Sequence, residues 1–111
     1  MKLPSKIRFV DKNLLESFEK LKDSKEDEKK LYEFLVRAFK DIENNAFCGI
    51  QIPKRLIPKV YITKYSVKNI WKYDLPKAWR LIYSIVNDEI VVVSLVLEWL
   101  DHKNYEKRFK Y

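Results

Sequence analysis

A chain of 111 residues is long enough for one modest hydrophobic core and too short for two, so a single domain spanning residues 1–111 is expected. Its 47% apolar and 14% aromatic content is that of a globular protein rather than a disordered one, and no apolar run reaches the roughly eighteen residues of a membrane span. The formal charge of +7 lies almost wholly in residues 51–80, where eight Lys/Arg face Asp74 alone, a pattern of a docking face for a polyanion; the alternative is a basic soluble protein without a nucleic-acid partner.

The opening Met1-Lys2-Leu3-Pro4-Ser5-Lys6 has no apolar stretch of the kind a secretory leader carries. Ile7 to Val10 is a short apolar-rich piece that predicts a first strand. Asp11 then suits a helix cap, because its carboxylate can accept from the free amides of a first turn. Leu14, Leu15, Phe18 and Leu21 recur at helical spacing and predict one apolar stripe. Ser24 is a second cap candidate, with Glu26, Asp27 and Glu28 placed to favour the positive end of a helix dipole. Leu31, Phe34, Leu35, Ala38, Phe39 and Ile42 make the next stripe, closed by Asn44-Asn45. Two antiparallel helices with a very short link are expected, their aromatics serving as core.

From Ala46 to Pro58 the periodicity fails, and the chain's only glycine, Gly49, lies there with Pro53 and Pro58. A loop or irregular edge strand carrying Lys54 and Arg55 is expected. Cys48 stands alone, so no internal disulfide can form; it reads as a small buried hydrophobe in a reducing cytoplasm. Val60-Tyr61-Ile62-Thr63 reads as a strand or strand fragment, and Ile70 to Leu75 alternates before Pro76 ends it. Trp79 to Val86 and Ile90 to Leu97 flank the turn Asn87-Asp88 and predict an antiparallel hairpin, whose second run, apolar on both faces and stopped by Glu98, marks a central strand. A short helix is expected in the polar tail Asp101 to Phe109. The order β-α-α-β-β-β-α predicts an α+β fold, with an N-terminal helix pair packed on one face of a small, mainly antiparallel sheet and a short C-terminal helix.

Strand residues alternate sides, so Trp79, Leu81, Tyr83 and Ile85 oppose Arg80, Ile82, Ser84 and Val86, while Trp71 and Tyr73 oppose Ile70, Lys72 and Asp74. If the first sets meet the helix pair, Lys72 and Arg80 share the other face, which is expected to be uncovered.

The order of elements and several short motifs resemble the RelE/ParE toxin superfamily of type II toxin–antitoxin systems, best between Trp71 and Tyr105. The strand Trp79-Arg80-Leu81-Ile82-Tyr83 matches that family's aromatic-Arg-apolar-apolar-Tyr pattern, followed by the acidic turn Asn87-Asp88-Glu89, an apolar strand and the tail His102-Lys103-Asn104-Tyr105. The tail departs from the pattern: its tyrosine stands one or two residues nearer the histidine than in many relatives. Its basic residues are thinned to Lys103, Lys107 and Arg108, and Glu98-Trp99-Leu100 has no counterpart. The resemblance implies a RelE-like fold and a ribosome-dependent mRNA endoribonuclease that inhibits translation, with mRNA, the ribosome and a cognate antitoxin as partners. Relatives in the same fold poison DNA gyrase instead.

Metal-free cleavage of RNA needs a base for the 2′-hydroxyl proton, a cation for charge developing on phosphorus, and an acid for the departing 5′-oxygen. Arg80 suits the cation, being permanently charged and forked to match phosphate oxygens; its alternative is a structural ion pair with Asp74 or Glu98. His102, the only histidine, suits the proton carrier, or it is simply a helix-start residue. Tyr105, three residues on, falls on the same helical face to share proton transfer or stack on a base, or else it packs in the core. Lys72 and Lys68 are candidates for phosphate contact, with Lys72 grouped with the catalytic set. Lys54, Arg55, Lys59, Lys64, Lys103 and Arg108 supply backbone affinity for RNA. No His/Cys cluster, glycine-rich loop or carboxylate pair suggests a metal, a small-molecule cofactor or a membrane partner. Three readings follow: an mRNA-cleaving toxin, a non-catalytic toxin binding gyrase, and a basic RNA-binding domain without nuclease activity.

Overall fold

A computed structural model of the chain describes residues 2–88 and 91–110. Strands β1 (Lys6–Phe9), β2 (Ile50–Gln51), β3 (Trp71–Asp74), β4 (Arg80–Asp88) and β5 (Val91–Leu100) form one sheet in the order β1-β5-β4-β3-β2. All neighbours run antiparallel except β1, which lies parallel to β5 with Lys6 beside Val93. Helices α1 (Lys12–Lys22), α2 (Asp27–Asn44), α3 (Lys59–Tyr65) and α4 (His102–Phe109) complete an α+β architecture. Strand β5 is interior, flanked by β1 and β4, as its two-sided apolar pattern requires.

Asp11 caps α1 by accepting from the Leu14 amide at 2.8 Å. Leu31, Leu35, Ala38, Phe39 and Ile42 of α2 are buried against Leu81, Tyr83 and Val96, with Leu14, Phe18 and Leu21 of α1 packed alongside. Leu15 falls off that stripe and is exposed. Ser24 is not the cap of α2; its hydroxyl donates back to the Lys20 carbonyl, closing α1, and Glu26 at φ 54° precedes α2 instead. Asn45 ends α2 and turns its side chain to the amides of Leu3 and Phe47.

The second core lies on the opposite sheet face, and here the expectation of an uncovered surface is corrected. Ile52, Tyr61, Val67, Ile70, Ile82, Leu97, Leu100, Tyr105 and Phe109 are buried together, so α3 and α4 cover much of that side. Val60-Tyr61-Ile62-Thr63 is therefore the middle of α3, not a strand. Its β-branched composition favours a strand locally, but a helix lets Tyr61 and Tyr65, one turn apart, stack with ring centroids 6.5 Å apart, and Tyr61 enters the core. Ser66 in the left-handed region stops the helix.

Glu98 does not stop β5, which continues to Leu100. Tyr83 pairs with Val96 but Ile82 pairs with Glu98, leaving Leu97 as the extra residue of a β-bulge. The bulge gives Leu97 and Glu98 to the α3–α4 side and returns Trp99 to the helix-pair side. Asn87 and Asp88 are not the turn; they pair with Val92 and Val91 at the end of β4. The expected positions of Glu89 and Ile90 fall outside the described residues.

Gly49 sits where the backbone passes closest to the sheet. A Cβ there would lie 2.5 Å from the Lys72 carbonyl oxygen and 2.6 Å from Tyr83 Oη. Tyr83 Oη donates to the Ala46 carbonyl at 2.7 Å and receives the Gly49 amide at 3.2 Å, pinning this segment. Neighbouring Cys48 is exposed rather than buried, though partial desolvation and the Asp41 carboxylate hold its thiol above the usual range. Among the described residues, no helix is long and apolar enough to cross a membrane.

Candidate functional site

The face opposite the helix pair gathers three of the predicted catalytic residues. Arg80 opens β4 and is in register with Asp74 at the end of β3 on one side and Leu100 at the end of β5 on the other. Lys72, two residues before Asp74 along β3, points the same way. Lys72 Nζ donates to Asp74 Oδ1 at 3.0 Å and to Oδ2 at 3.3 Å. Arg80 Nε lies 2.9 Å from the same Oδ1, an ion-pair distance, yet its buried N–H is aligned on no acceptor among the described residues. The Asp74 contact with Arg80 is thus electrostatic rather than a hydrogen bond, and Arg80 Nη1 donates to the Trp79 carbonyl at 3.2 Å.

Both cations also lie over one aromatic ring. Arg80 Cζ is 5.3 Å and Lys72 Nζ 5.6 Å from the Tyr105 ring centroid. Such contacts contribute about 0.5–2 kcal/mol, more as water is excluded. The side chains of Lys72 and Arg80 are 17% and 18% exposed, while Asp74 between them is 48% exposed. Two cations sharing one carboxylate leave a local charge of +1, held by β-sheet backbone and backed by a ring. The exposed member is the anion, so an incoming phosphate would compete with Asp74 for cations already in place.

Tyr105 is brought there by α4, whose N-cap Asp101 accepts from the Asn104 amide at 2.8 Å. The residue is 3% exposed and its ring lies 4.6 Å, centroid to centroid, from Phe109, so it packs as core while flooring the cation pair. His102, one turn earlier at the start of α4, faces water. It lies 2.7 Å from Glu106 Oε1, with its side chain 60% exposed, and pairs with that residue rather than with Arg80 or Lys72. The structure therefore brings Lys72, Arg80 and Tyr105 into contact and leaves His102 exposed at the start of α4, against Glu106.

The remaining basic candidates ring the α3–α4 layer. Lys54 and Arg55 stand on the short 3₁₀ turn Lys54–Leu56; Lys59 and Lys64 are on α3, Lys68 is exposed before β3, and Lys103 is exposed on α4. Arg108 has a structural attachment: its Nε is 3.1 Å from Glu98 Oε2 and its guanidinium lies over the Tyr61 ring at 5.9 Å. Tyr61 Oη donates to the same Glu98 carboxylate, and burial together with that bond pushes the phenol well above its usual range. This Tyr61–Glu98–Arg108 link ties α3 and α4 to β5, and it exists because the bulge turns Glu98 toward them. Sequence reasoning missed it, since alternation without the bulge sends Glu98 to the other side.

Two further basic residues join these, Lys107, which the sequence reading named only as one of the tail's basic residues, and Lys110, which it did not name. With Arg55, Lys59 and Arg108 they border an open groove of about 610 Å³ between the Lys54–Leu56 turn, the start of α3 and the end of α4. On the other side of the sheet, Leu21, Leu31, Phe34, Trp79 and Trp99 line an apolar groove of about 550 Å³, crossed by the Lys77–Asp27 ion pair at 3.8 Å. Among the described residues, no three His, Cys, Asp or Glu side chains gather as a metal-ligand set. Comparison of the chain with family models, with characterised proteins and with solved structures gave no match.

Proposed function

We propose that the chain is a RelE/ParE-like toxin of a type II toxin–antitoxin pair, acting as a metal-independent endoribonuclease on mRNA in the ribosome and working in the cytoplasm. The observation that carries this reading is the convergence of Arg80 and Lys72 on one exposed carboxylate over the Tyr105 ring. In the reaction, the 2′-oxygen attacks the adjacent phosphorus, the bond to the 5′-oxygen breaks, and a 2′,3′-cyclic phosphate and a 5′-hydroxyl result. Arg80 and Lys72 take the charge that builds on the phosphoryl oxygens. His102 carries a proton between the 2′- and 5′-oxygens, and Tyr105, buried beneath the two cations, fixes their positions. The order of a helix pair, an arginine-bearing hairpin and a short tail helix agrees with the resemblance. The apolar groove of Leu21, Leu31, Phe34, Trp79 and Trp99 is the surface this reading gives to an antitoxin.

A second reading has its own observation: Tyr105 is buried and both cations are engaged by Asp74, while His102 bonds elsewhere, an arrangement suited to a non-catalytic toxin that binds gyrase. Induced expression with mapping of cellular mRNA ends separates the two. Cuts within codons that vanish in Arg80→Ala and persist in Asp74→Asn are expected; whole messages with arrested supercoiling would favour the gyrase binder. RNA binding without growth arrest would leave only a basic RNA-binding domain.

A further inference from the structure

The groove between the Lys54–Leu56 turn, the start of α3 and the end of α4 is bordered by Arg55, Lys59, Lys107, Arg108 and Lys110, and among the described residues no carboxylate side chain lines it. Among the described residues, Arg108 alone of these is held in an ion pair, with Glu98. The other four are exposed side chains carried by three elements, Arg55 on the turn, Lys59 on α3, and Lys107 and Lys110 at the end of α4, so segments far apart in the chain bring their charges to one groove. Between them the groove is apolar, with Leu56, Ile57, Pro58, Val60 and Phe109, and Leu56 is left largely open to solvent. Cations at the rim with an apolar bed suit a single strand whose phosphates meet the lysines and whose bases lie on the bed. Duplex nucleic acid would offer the phosphates but not the bases.

The groove also neighbours the end of β5. A shallow depression lined by Leu100, Asn104, Lys107 and Arg108 shares two residues with it, and Leu100 is the register partner of Arg80. Helix α4 carries residues of both, Tyr105 at the cluster and Lys107 at the groove, about 3 Å apart along the helix axis.

We infer that this groove is a binding track for single-stranded RNA, holding the backbone on one side of the phosphodiester that Arg80 and Lys72 engage. The inference rests on the proposed action on RNA, but its test is separate. The probe is a short labelled single-stranded RNA of mixed sequence, followed by fluorescence anisotropy across a salt series with the whole chain. Two double variants, Arg55→Gln/Lys59→Gln and Lys107→Gln/Lys110→Gln, remove one wall each at exposed positions, so a folding defect in one leaves the other to decide. Each is expected to weaken binding and to lower the slope of log affinity against log salt by about 1.4, at roughly 0.7 per phosphate contact on a single strand. A control variant, Lys20→Gln/Lys29→Gln on the helix pair, carries the same charge change and is expected to keep the wild-type slope. Wild-type binding by both groove variants overturns the track, and so does an equal loss in the control, which would make the effect one of net charge. Tighter groove-dependent binding to duplex DNA or to anionic phospholipid vesicles overturns the assignment to single-stranded RNA. mRNA-end mapping with Arg80→Ala is indifferent to these outcomes, so a failed groove and a failed nuclease are told apart.

Discussion

Gly49 shows how one residue fixes the edge of the sheet that carries Lys72. Its conformation is open to any residue, φ −82° and ψ −164°, so the requirement is space alone. With backbone oxygen 2.5 Å from the missing Cβ, Gly49→Ala must push the segment away from β3 and break the Tyr83 bonds. A loss of about 1–3 kcal/mol is expected, measured by urea unfolding. Tyr73 offers a second test at this scale. Desolvation first, then its bond to Asp41, lifts its phenol from the usual 10 to about 12. A group with a raised folded pKa stabilises fully below the unfolded value and ceases to do so as pH climbs through the folded one. Stability is therefore expected to decline between about pH 10 and 12, with buried Tyr61 and Tyr83 shifted in the same direction, and a phenolate absorbance titration beside circular dichroism would record it. Among the candidate residues, the side of the sheet on which Arg80 and Lys72 lie was legible because strand alternation needs no register. The burial of Tyr105 was legible only as the alternative to a role with the nucleotide, because it depends on where α4 comes to rest against the sheet.

At the scale of elements, the bulge at Leu97 does most to organise the second layer. Replacing Glu98 by Ala would leave the buried Tyr61 hydroxyl and the Arg108 guanidinium without their shared acceptor. A destabilisation of about 1–3 kcal/mol is expected, with α3 and α4 losing hydrogen-exchange protection before the helix pair does. Glu98→Gln, which keeps an acceptor, should cost less. The helix pair, the hairpin and the central strand could all be read from periodicity, since each buries a stripe long enough to outweigh local preference. Helix α3 could not: seven residues with one buried side chain carry too little pattern, and β-branched Val60, Ile62 and Thr63 point the other way. Pro58 immediately before it and the Tyr61–Tyr65 spacing were the available signals.

For the whole molecule, the sheet is shared by two cores, so each layer of helices depends on strands that also serve the other. The excess positive charge sits with the elements of the second layer, around α3 and the adjoining strands, while the charges of the helix pair nearly cancel. That segregation was legible in the sequence as a run, although its gathering into a groove required the end of α4 to come alongside the start of α3. The parallel pairing of β1 with β5 carries a consequence for how the chain acquires its form. Lys6 lies beside Val93, so among the described strands the first has no partner until β5 has been made, and contacts so distant in sequence make for slow, late closure. Until then α1 and α2 lack Val96 and Trp99 of β5 over part of their apolar stripe, the kind of exposed surface that makes a nascent protein prone to aggregation.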